Sequence, residues 1–428
     1  MRVIAAEANR YMLQPVIPLA RPSRDLMDET RTRNTSSHYM PQLDGLRAFA
    51  VGAVLIHHFF QPPRFGGVDF ALLGVWLFFG LSGFLITGIL LRLRDQIHDR
   101  GYPASLALRQ FYVRRVLRIF PLYYLVLFGV AAFDLGDVRD TIFWHLSYMS
   151  NYLFSTRQQW GQLTAHFWSL SVEEQFYILW PALILFAGER FLPKMIITAI
   201  AIGPIFRTVA HLLDFNWIAR LTVSPASLDA LGLGALLAYC LHHLNDKPAL
   251  LKTLDQWICW FGAPGLILLF CLQRLEAYHL VHHVTENSWF IEPTLWALLF
   301  VWLIKRASSG FIGFAGKILE SKPLVYTGKI SYGIYIYHPF VYFLLPILFY
   351  RTGINFFLLP TLLQFSLAVG STVAIAALSW RFIESPINSL KNRFAGSGVE
   401  QRRTLPGPHT YRPQRHHESS TPDLNESY

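Results

Sequence analysis

The sequence predicts an all-α integral membrane protein of about ten transmembrane helices with both termini in the cytoplasm. Hydrophobic residues make up 53% of the 428-residue chain and charged residues only 15%, far from the balance of a soluble globule. The apolar residues arrive in blocks of about twenty, the length that crosses a bilayer core. The basic residues gather on alternate connections between those blocks, as the positive-inside bias requires.

The blocks lie near 42–62, 69–91, 116–134, 167–187, 193–213, 223–241, 256–273, 289–304, 330–350 and 358–381. The first two and last two are clear, whereas Pro204 and Arg207 interrupt the fifth, and Gly262 and Pro264 the seventh. With the N-terminus inside, the outer loops carry only Arg64, Arg139, Arg157, Arg220, Arg274 and Arg351. The arm, inner loops and tail carry almost all other Lys and Arg. A net charge of +10 then follows from topology and anionic inner-leaflet lipid, and nucleic-acid binding is not needed to explain it. Residues 1–38 and 391–428, rich in Pro, Ser, Arg and His, read as disordered cytosolic segments around a membrane domain over 39–390. The arm has no apolar run that would make a cleavable signal peptide. Cys240, Cys259 and Cys271 lie in or beside membrane blocks without C-x-x-C spacing, so no zinc site or disulfide framework is indicated. His416 and His417 in the tail are a weak metal pair, and no metal site is expected.

The first block reads L-D-G-L-R-A-F-A-V-G-A-V-L-I-H-H and sets Arg47 and His58 eleven residues apart. At about 3.6 residues per turn that is just over three turns, so both project from nearly one face. Ionisable groups at membrane depth are costly and mark substrate paths, proton paths or reaction centres. In the second block, Gly80, Ser82, Gly83 and Gly88 suit close helix contact. The third opens F-Y-V-R-R-V-L-R-I-F-P, with Arg114, Arg115 and Arg118 at helical spacing. Anchoring with snorkelling explains one or two of these arginines. A phosphate site is the sharper reading, because Arg forks suit phosphate and a helix N-terminus favours anions. From charge alone the two stand level.

The fourth block opens H-F-W-S-L-S-V-E-E-Q-F-Y. Glu173 shares a face with Ser169 and Tyr177, while Glu174 is rotated by about 100°. Two adjacent carboxylates so near a membrane-helix start have no good packing explanation, and an ion pair from Glu173 to a neighbouring helix is the alternative reading. In the ninth block Tyr332, Tyr335 and His338 recur at helical spacing; packing is the plainer role for this stripe, with His338 a candidate cavity residue. The last block ends R-F-I-E-S-P, where Arg381 and Glu384 are expected to pair. By depth, Arg47 and the arginine cluster fall at the inner face, and His58 and Glu173 in the outer half of the membrane. The expectation is a cavity with a cationic cytoplasmic mouth and, further in, a His58–Glu173 couple acting as general base.

These pieces resemble the acyltransferase 3 family of integral-membrane acyltransferases, which includes bacterial O-antigen, exopolysaccharide and Nod-factor O-acetylases. The carrying motifs are L-D-G-L-R…H, F-F-x-L-S-G-F-L-I-T, F-Y-x-R-R-x-x-R-I-x-P, H-x-W-S-L-S-V-E-E-Q-F-Y, S-L-D-A-L-G-L-G-A-L-L-A and I-S-Y-G-I-Y-x-Y-H. They stand in the family's order across residues 41–386. The resemblance implies catalytic roles for Arg47, His58 and Glu173, with His58 rather than His57 as the expected residue, and donor binding by Arg114, Arg115 and Arg118. Ser82, His166, Trp168, Ser169, Tyr177, Tyr335 and His338 are candidate cavity-lining residues. Trp76 departs from the acidic or polar residue many relatives carry, which puts a role for that position in doubt. No soluble hydrolase-like domain follows the membrane part, so a stand-alone member is expected.

The resemblance further implies a multi-pass protein of the bacterial cytoplasmic membrane, without a bound cofactor. It would move an acyl group, most simply acetyl, from cytosolic acyl-CoA (acetyl-CoA) to a hydroxyl of a glycan, glycolipid or small-molecule acceptor. Arg47 would hold the donor or developing negative charge, Glu173 would orient His58, and His58 would act as base or carry the acyl group. A transporter or flippase is the rival class, since helices with buried charges also build transport paths; the sequence shows neither an inverted repeat nor paired broken helices. A non-catalytic membrane scaffold is the third option.

Overall fold

The computed structural model describes residues 39–60, 69–244, 248–282, 284 and 288–391. The arm over 1–38, the segment with Arg64, the side chain of Cys259, and the tail beyond Lys391 with His416 and His417 lie outside the described residues. No β-strand occurs among the described residues.

Helix α1 spans Pro41–Leu55 and runs on into a π-helical turn, Ile56–Phe60. Asp69 then caps α2 (Phe70–Arg100), its carboxylate accepting from the Ala71 and Leu72 amides. Helix α3 covers Ala104–Ala132, and two short helices, α4 (Val138–Leu146) and α5 (Ser150–Arg157), lead to α6 (Phe167–Phe186). There follow α7 (Leu192–Leu212), α8 (Trp217–Thr222), α9 (Leu228–His243), α10 (Pro248–Ala277) and α11 (Glu292–Ser309). The described chain closes with α12 (Gly313–Leu319), α13 (Lys322–Lys329), α14 (Ser331–Arg351) and α15 (Thr361–Ser379) before the π turn Trp380–Glu384 and α16 (Ser385–Ser389).

Among the described residues, seven helical stretches are long and apolar enough to cross a membrane: Pro41–Phe60, Phe70–Arg100, Ala104–Ala132, Glu189–Leu212, Ser224–His243, Ser331–Arg351 and Thr361–Ser389. The pair α11–α12, bent by 89°, makes an eighth if counted as one span. Helices α6 and α10 cover the fourth and seventh apolar blocks but stand outside that set. Large apolar side chains such as Leu125, Phe128, Ile178, Leu179 and Leu362 are exposed along these helices, as a surface turned to hydrocarbon requires.

Two expectations are corrected. Helix α3 begins at Ala104, so Arg114, Arg115 and Arg118 lie about three to four turns inside it rather than at its N-terminus. The run A-S-L-A-L-R-Q is rich in strong helix formers and carries the helix past the apolar block. Arg381 and Glu384 also do not pair: Arg381 lies over the Phe382 ring and the buried Glu384 accepts from the Ser379 hydroxyl. The π turn between them rotates the two side chains out of the alignment that an α-helix would give.

The centre is a crossing of α2 and α9. A Cβ at Gly83 would lie 1.9 Å from the Leu231 carbonyl oxygen, and one at Gly234 would lie 2.1 Å from that of Gly80. Only glycine permits these backbones so close. Helix α9 also packs on α7 through the fully buried ion pair of Arg207 and Asp229, with Nη2 2.7 Å from Oδ2. On α2, Arg94 donates to the carbonyls of Ile184 and Leu185 at 2.6 and 3.3 Å, capping the end of α6. These ties hold α2, α6, α9 and their neighbours around the site.

Candidate active site

Arg47 and His58 turn to the same side of the first helix but stand at successive levels. The Arg47 guanidinium donates to Asp44 Oδ1 at 2.7 Å and faces a cavity of about 100 Å³. His58 lies in the π turn and faces a second cavity of about 660 Å³. Four helices repeat this order. Arg47 on α1, Ser82 on α2, Ser169 to Tyr177 on α6 and Tyr332 on α14 line the first cavity. The second takes His58, then residues between Ala71 and Trp76 at the head of α2, Ala165, His166 and Trp168 at the head of α6, and His338 on α14. Val75 and Tyr335 line both.

A third cavity, about 390 Å³, joins the first from the other end and is lined by Arg114, Arg115, Arg118, Asn388 and Lys391. Arg115 and Arg118 line both it and the first cavity. The molecule therefore holds a basic mouth, a narrow polar seam and a wide chamber in series. An anion can be held at the mouth, and an uncharged arm can follow the seam toward Tyr335.

The seam is ordered by Glu173. Ser82 donates to its Oε1 at 2.5 Å, and the Tyr177 hydroxyl donates to Ser82 at 2.9 Å. Arg115 lies over the Tyr177 ring, 5.2 Å from its centroid. Beyond, the Tyr335 hydroxyl is 2.6 Å from that of Ser169 and closes the boundary with the wide chamber. Tyr332 donates to the Ile119 carbonyl at 2.9 Å. The tyrosine stripe of α14 is thus a wall of the site, and all seven candidate cavity-lining residues do line one cavity or the other.

The expected His58–Glu173 couple is not formed. Glu173 opens on the seam and His58 on the chamber, a level apart. The imidazole beside a carboxylate is His57, whose Nδ1 lies 3.2 Å from Asp69 Oδ1. His58 is oriented by its own backbone: Nδ1 is 2.9 Å from the Val54 carbonyl oxygen. A carbonyl only accepts, so Nδ1 bears the hydrogen and Nε2 the lone pair, for which no partner is seen among the described residues. The wider turn of a π segment is a common device for aiming a side chain at functional sites. His338 and His166 complete the cluster, with ring centroids 4.8 Å between His58 and His338 and 5.3 Å between His166 and His338.

The wide chamber is walled by Trp76, Trp160, Trp168, Trp217 and Trp289. Flat apolar faces with polar edges suit a large, partly polar ligand. Arg207 is part of the wall but spent on Asp229, two backbone carbonyls and Thr294.

A family model described as an acyltransferase domain matches residues 40–381. The chain belongs to the acyltransferase 3 family. Its relatives include the peptidoglycan O-acetyltransferase OatA of Listeria monocytogenes, 30% identical over 393 residues, which cover 86% of this chain and 59% of that protein. The O-acetyltransferase OatA of Staphylococcus aureus is 30% identical over 376 residues, 82% of this chain and 58% of that protein. The chain thus spans less than two thirds of the length of these relatives, and no solved structure matches it. With its apolar helices, this acyltransferase 3 member is a multi-pass bacterial membrane protein.

Sequence reasoning missed Asp69, Trp160, Trp217, Trp289 and the Arg207–Asp229 pair in this acyltransferase 3 site. The S-L-D-A motif marked Asp229, and Arg207 interrupting an apolar block was the signal for its partner. The three tryptophans sit in or beside short connecting elements and carried no periodic signal.

Proposed function

We propose that this chain is an O-acyltransferase that moves an acetyl group from acetyl-CoA at the basic mouth to a hydroxyl of a glycan in the wide chamber. The observation that carries this reading is the series of cavities, cationic at one end and walled by histidine and tryptophan at the other, meeting at Tyr335. Arg114, Arg115 and Arg118 would take the donor's phosphates, for which guanidinium forks are suited. The thioester arm would follow Arg47 and the Glu173–Ser82–Tyr177 chain toward the boundary. Arg47 would stabilise negative charge developing on the thioester oxygen. Glu173 keeps a positioning role here, holding Ser82 and Tyr177 and balancing the arginines. His58, its tautomer set by Val54, offers Nε2 either to the acceptor's proton or to the acyl group.

The acceptor class rests on two supports. Tryptophan faces suit the apolar faces of pyranose rings, and the relatives named above are peptidoglycan O-acetyltransferases in one case and an O-acetyltransferase in the other. A peptidoglycan-type glycan is therefore the first acceptor to try. In the membrane we read the domain over 39–390 as about ten helices with both termini cytoplasmic, α6 and α10 included. The charge bias of the loops supports this orientation, which turns the basic mouth to the cytosol where acyl-CoA is found.

The test is transfer of label from acetyl-CoA to glycan strands by the purified full chain in proteoliposomes. Wild type should transfer and His58→Ala, still folded and inserted, should not. Wild-type turnover in that variant overturns the assignment, and a chain that neither binds nor consumes the donor favours transport.

A further inference from the structure

His338 is fully buried in the wall of the wide chamber, and the reaction described above leaves it without a task. Its Nδ1 lies 2.7 Å from the Tyr335 carbonyl oxygen. As at His58, a carbonyl only accepts, so Nδ1 bears the hydrogen and Nε2 the lone pair. That Nε2 is buried with no hydrogen-bond partner among the described residues. Such an atom costs about 1–3 kcal/mol, and its presence at a cavity wall calls for an explanation other than packing. The His338 ring meets His58 edge-on, centroids 4.8 Å apart. Two adjacent imidazoles in the wall of one chamber therefore each keep one ring nitrogen without a partner among the described residues, and each has its other nitrogen tied to its own backbone.

Two lone pairs can divide two tasks. An imidazole acylated at Nε2 has no lone pair left there to take the acceptor's proton, so an acyl-carrying His58 requires a second base within reach. We propose that His338 is that base: His58 carries the acyl group and His338 deprotonates the acceptor hydroxyl. The inference rests on the acyltransferase reading and on His58. In the first half, His58 Nε2 bonds to the thioester carbon, the C–S bond breaks, and CoA leaves as the thiolate. The acyl-imidazolium keeps its Nδ1 hydrogen on Val54. In the second half, the acceptor oxygen bonds to the acyl carbon, its proton passes to His338 Nε2, and the bond to His58 breaks to return a neutral imidazole. Release of the His338 proton to solvent, matched by uptake at the thiolate, completes the conversion of thioester and alcohol to ester and thiol. His166 is the less suited neighbour: its ring meets His338, centroids 5.3 Å apart, and no ring contact with His58 is seen among the described residues.

The experiment uses the full chain in proteoliposomes, labelled acetyl-CoA as donor and soluble peptidoglycan glycan strands as acceptor, with His338→Gln against wild type. In the variant, label should accumulate on His58, located by peptide mass spectrometry, at no less than the wild-type level. Transfer to glycan should fall by about 10²–10⁴-fold, the usual range for a lost general base. Hydroxylamine, a nucleophile that needs no base, should discharge the label at the wild-type rate. Unchanged glycan transfer overturns the proposal. Loss of labelling together with transfer also overturns it, because His338 would then only support the shape of the site. If neither protein ever carries label while wild type transfers and His58→Ala does not, the two-base scheme is overturned and His58 stands as a direct base. Transfer that survives His58→Ala removes the acyltransferase assignment beneath both.

Discussion

Asp229→Ala should be among the single changes most damaging to stability. Arg207 and Asp229 have side chains only 3% and 1% exposed. The guanidinium gives Nη2 to Asp229 Oδ2 at 2.7 Å and to Thr294 at 2.8 Å, Nε to the Phe290 carbonyl at 3.0 Å, and Nη1 to the Ala226 carbonyl. Thr294 in turn donates to Asp229 Oδ2 at 2.5 Å. Removing the carboxylate leaves the cation buried with carbonyl and hydroxyl dipoles alone and takes away the acceptor of the Thr294 hydrogen. Breaking one partner of a buried pair costs about 3–5 kcal/mol, whereas removing both charges is often close to neutral. Arg207→Met combined with Asp229→Ala should therefore recover at least half of the loss. Equilibrium unfolding in mild detergent, followed by tryptophan fluorescence, reads both variants. A loss below about 1 kcal/mol for Asp229→Ala, the range of an exposed pair, would refute this reasoning, as would a double variant no better than the single.

Other perturbations separate the levels of the site and the packing beneath it. Arg118→Gln should raise KM for acetyl-CoA by about 10–100-fold, the value of one or two charge-assisted hydrogen bonds. Arg114→Gln, at an exposed position on the mouth, should raise it less; the reverse order in steady-state kinetics would refute the path drawn here. Gly234→Ala sets a methyl group 2.1 Å from the Gly80 carbonyl oxygen and should cost about 1–3 kcal/mol as overpacking, seen as earlier thermal aggregation in detergent. Burial pushes His145, in the short helix α4 beside Ser150, down to about 4. Its folded-state value lies below the unfolded one, near 6.5, so only the unfolded chain gains this proton as pH falls between them. Stability should fall from pH 6.5 toward pH 4 by up to about 3 kcal/mol from this group, and His145→Asn should flatten that slope in unfolding titrations.

Much of the site was legible because it lies on helices with regular spacing. Arg47 with His58 and Arg115 with Arg118 could be placed on shared helix faces from sequence separation alone, whereas Ser82 and the Tyr335–His338 stripe read more plainly as packing and are found lining the cavities. The pairing of His58 with Glu173 failed because a depth argument resolves no finer than a turn, about 5.4 Å, which is the scale on which the seam and the chamber are stacked. The π turn at Ile56–Phe60 shifts His58 further, and no residue type announces it. His57 finds Asp69 because that residue caps the next helix, a local event across a connection that periodicity does not describe. Trp160, Trp217 and Trp289 reach the chamber through tertiary packing of short elements. The helical class needed only block length and charge, whereas the extent of α3 needed the propensities of the polar residues before its apolar block.

We assign the chemistry to His58 and only a shaping role in the chamber to its neighbour His57, held by Asp69. The most direct measurement is the rate of acetyl transfer from labelled acetyl-CoA to glycan by His58→Gln and His57→Gln, each shown to be folded and inserted. The expected result is a loss of about 10²–10⁴-fold or more for His58→Gln and a change within about tenfold for His57→Gln, the range of a lost orienting contact. A His58→Gln enzyme that keeps its rate while His57→Gln loses it would contradict the account.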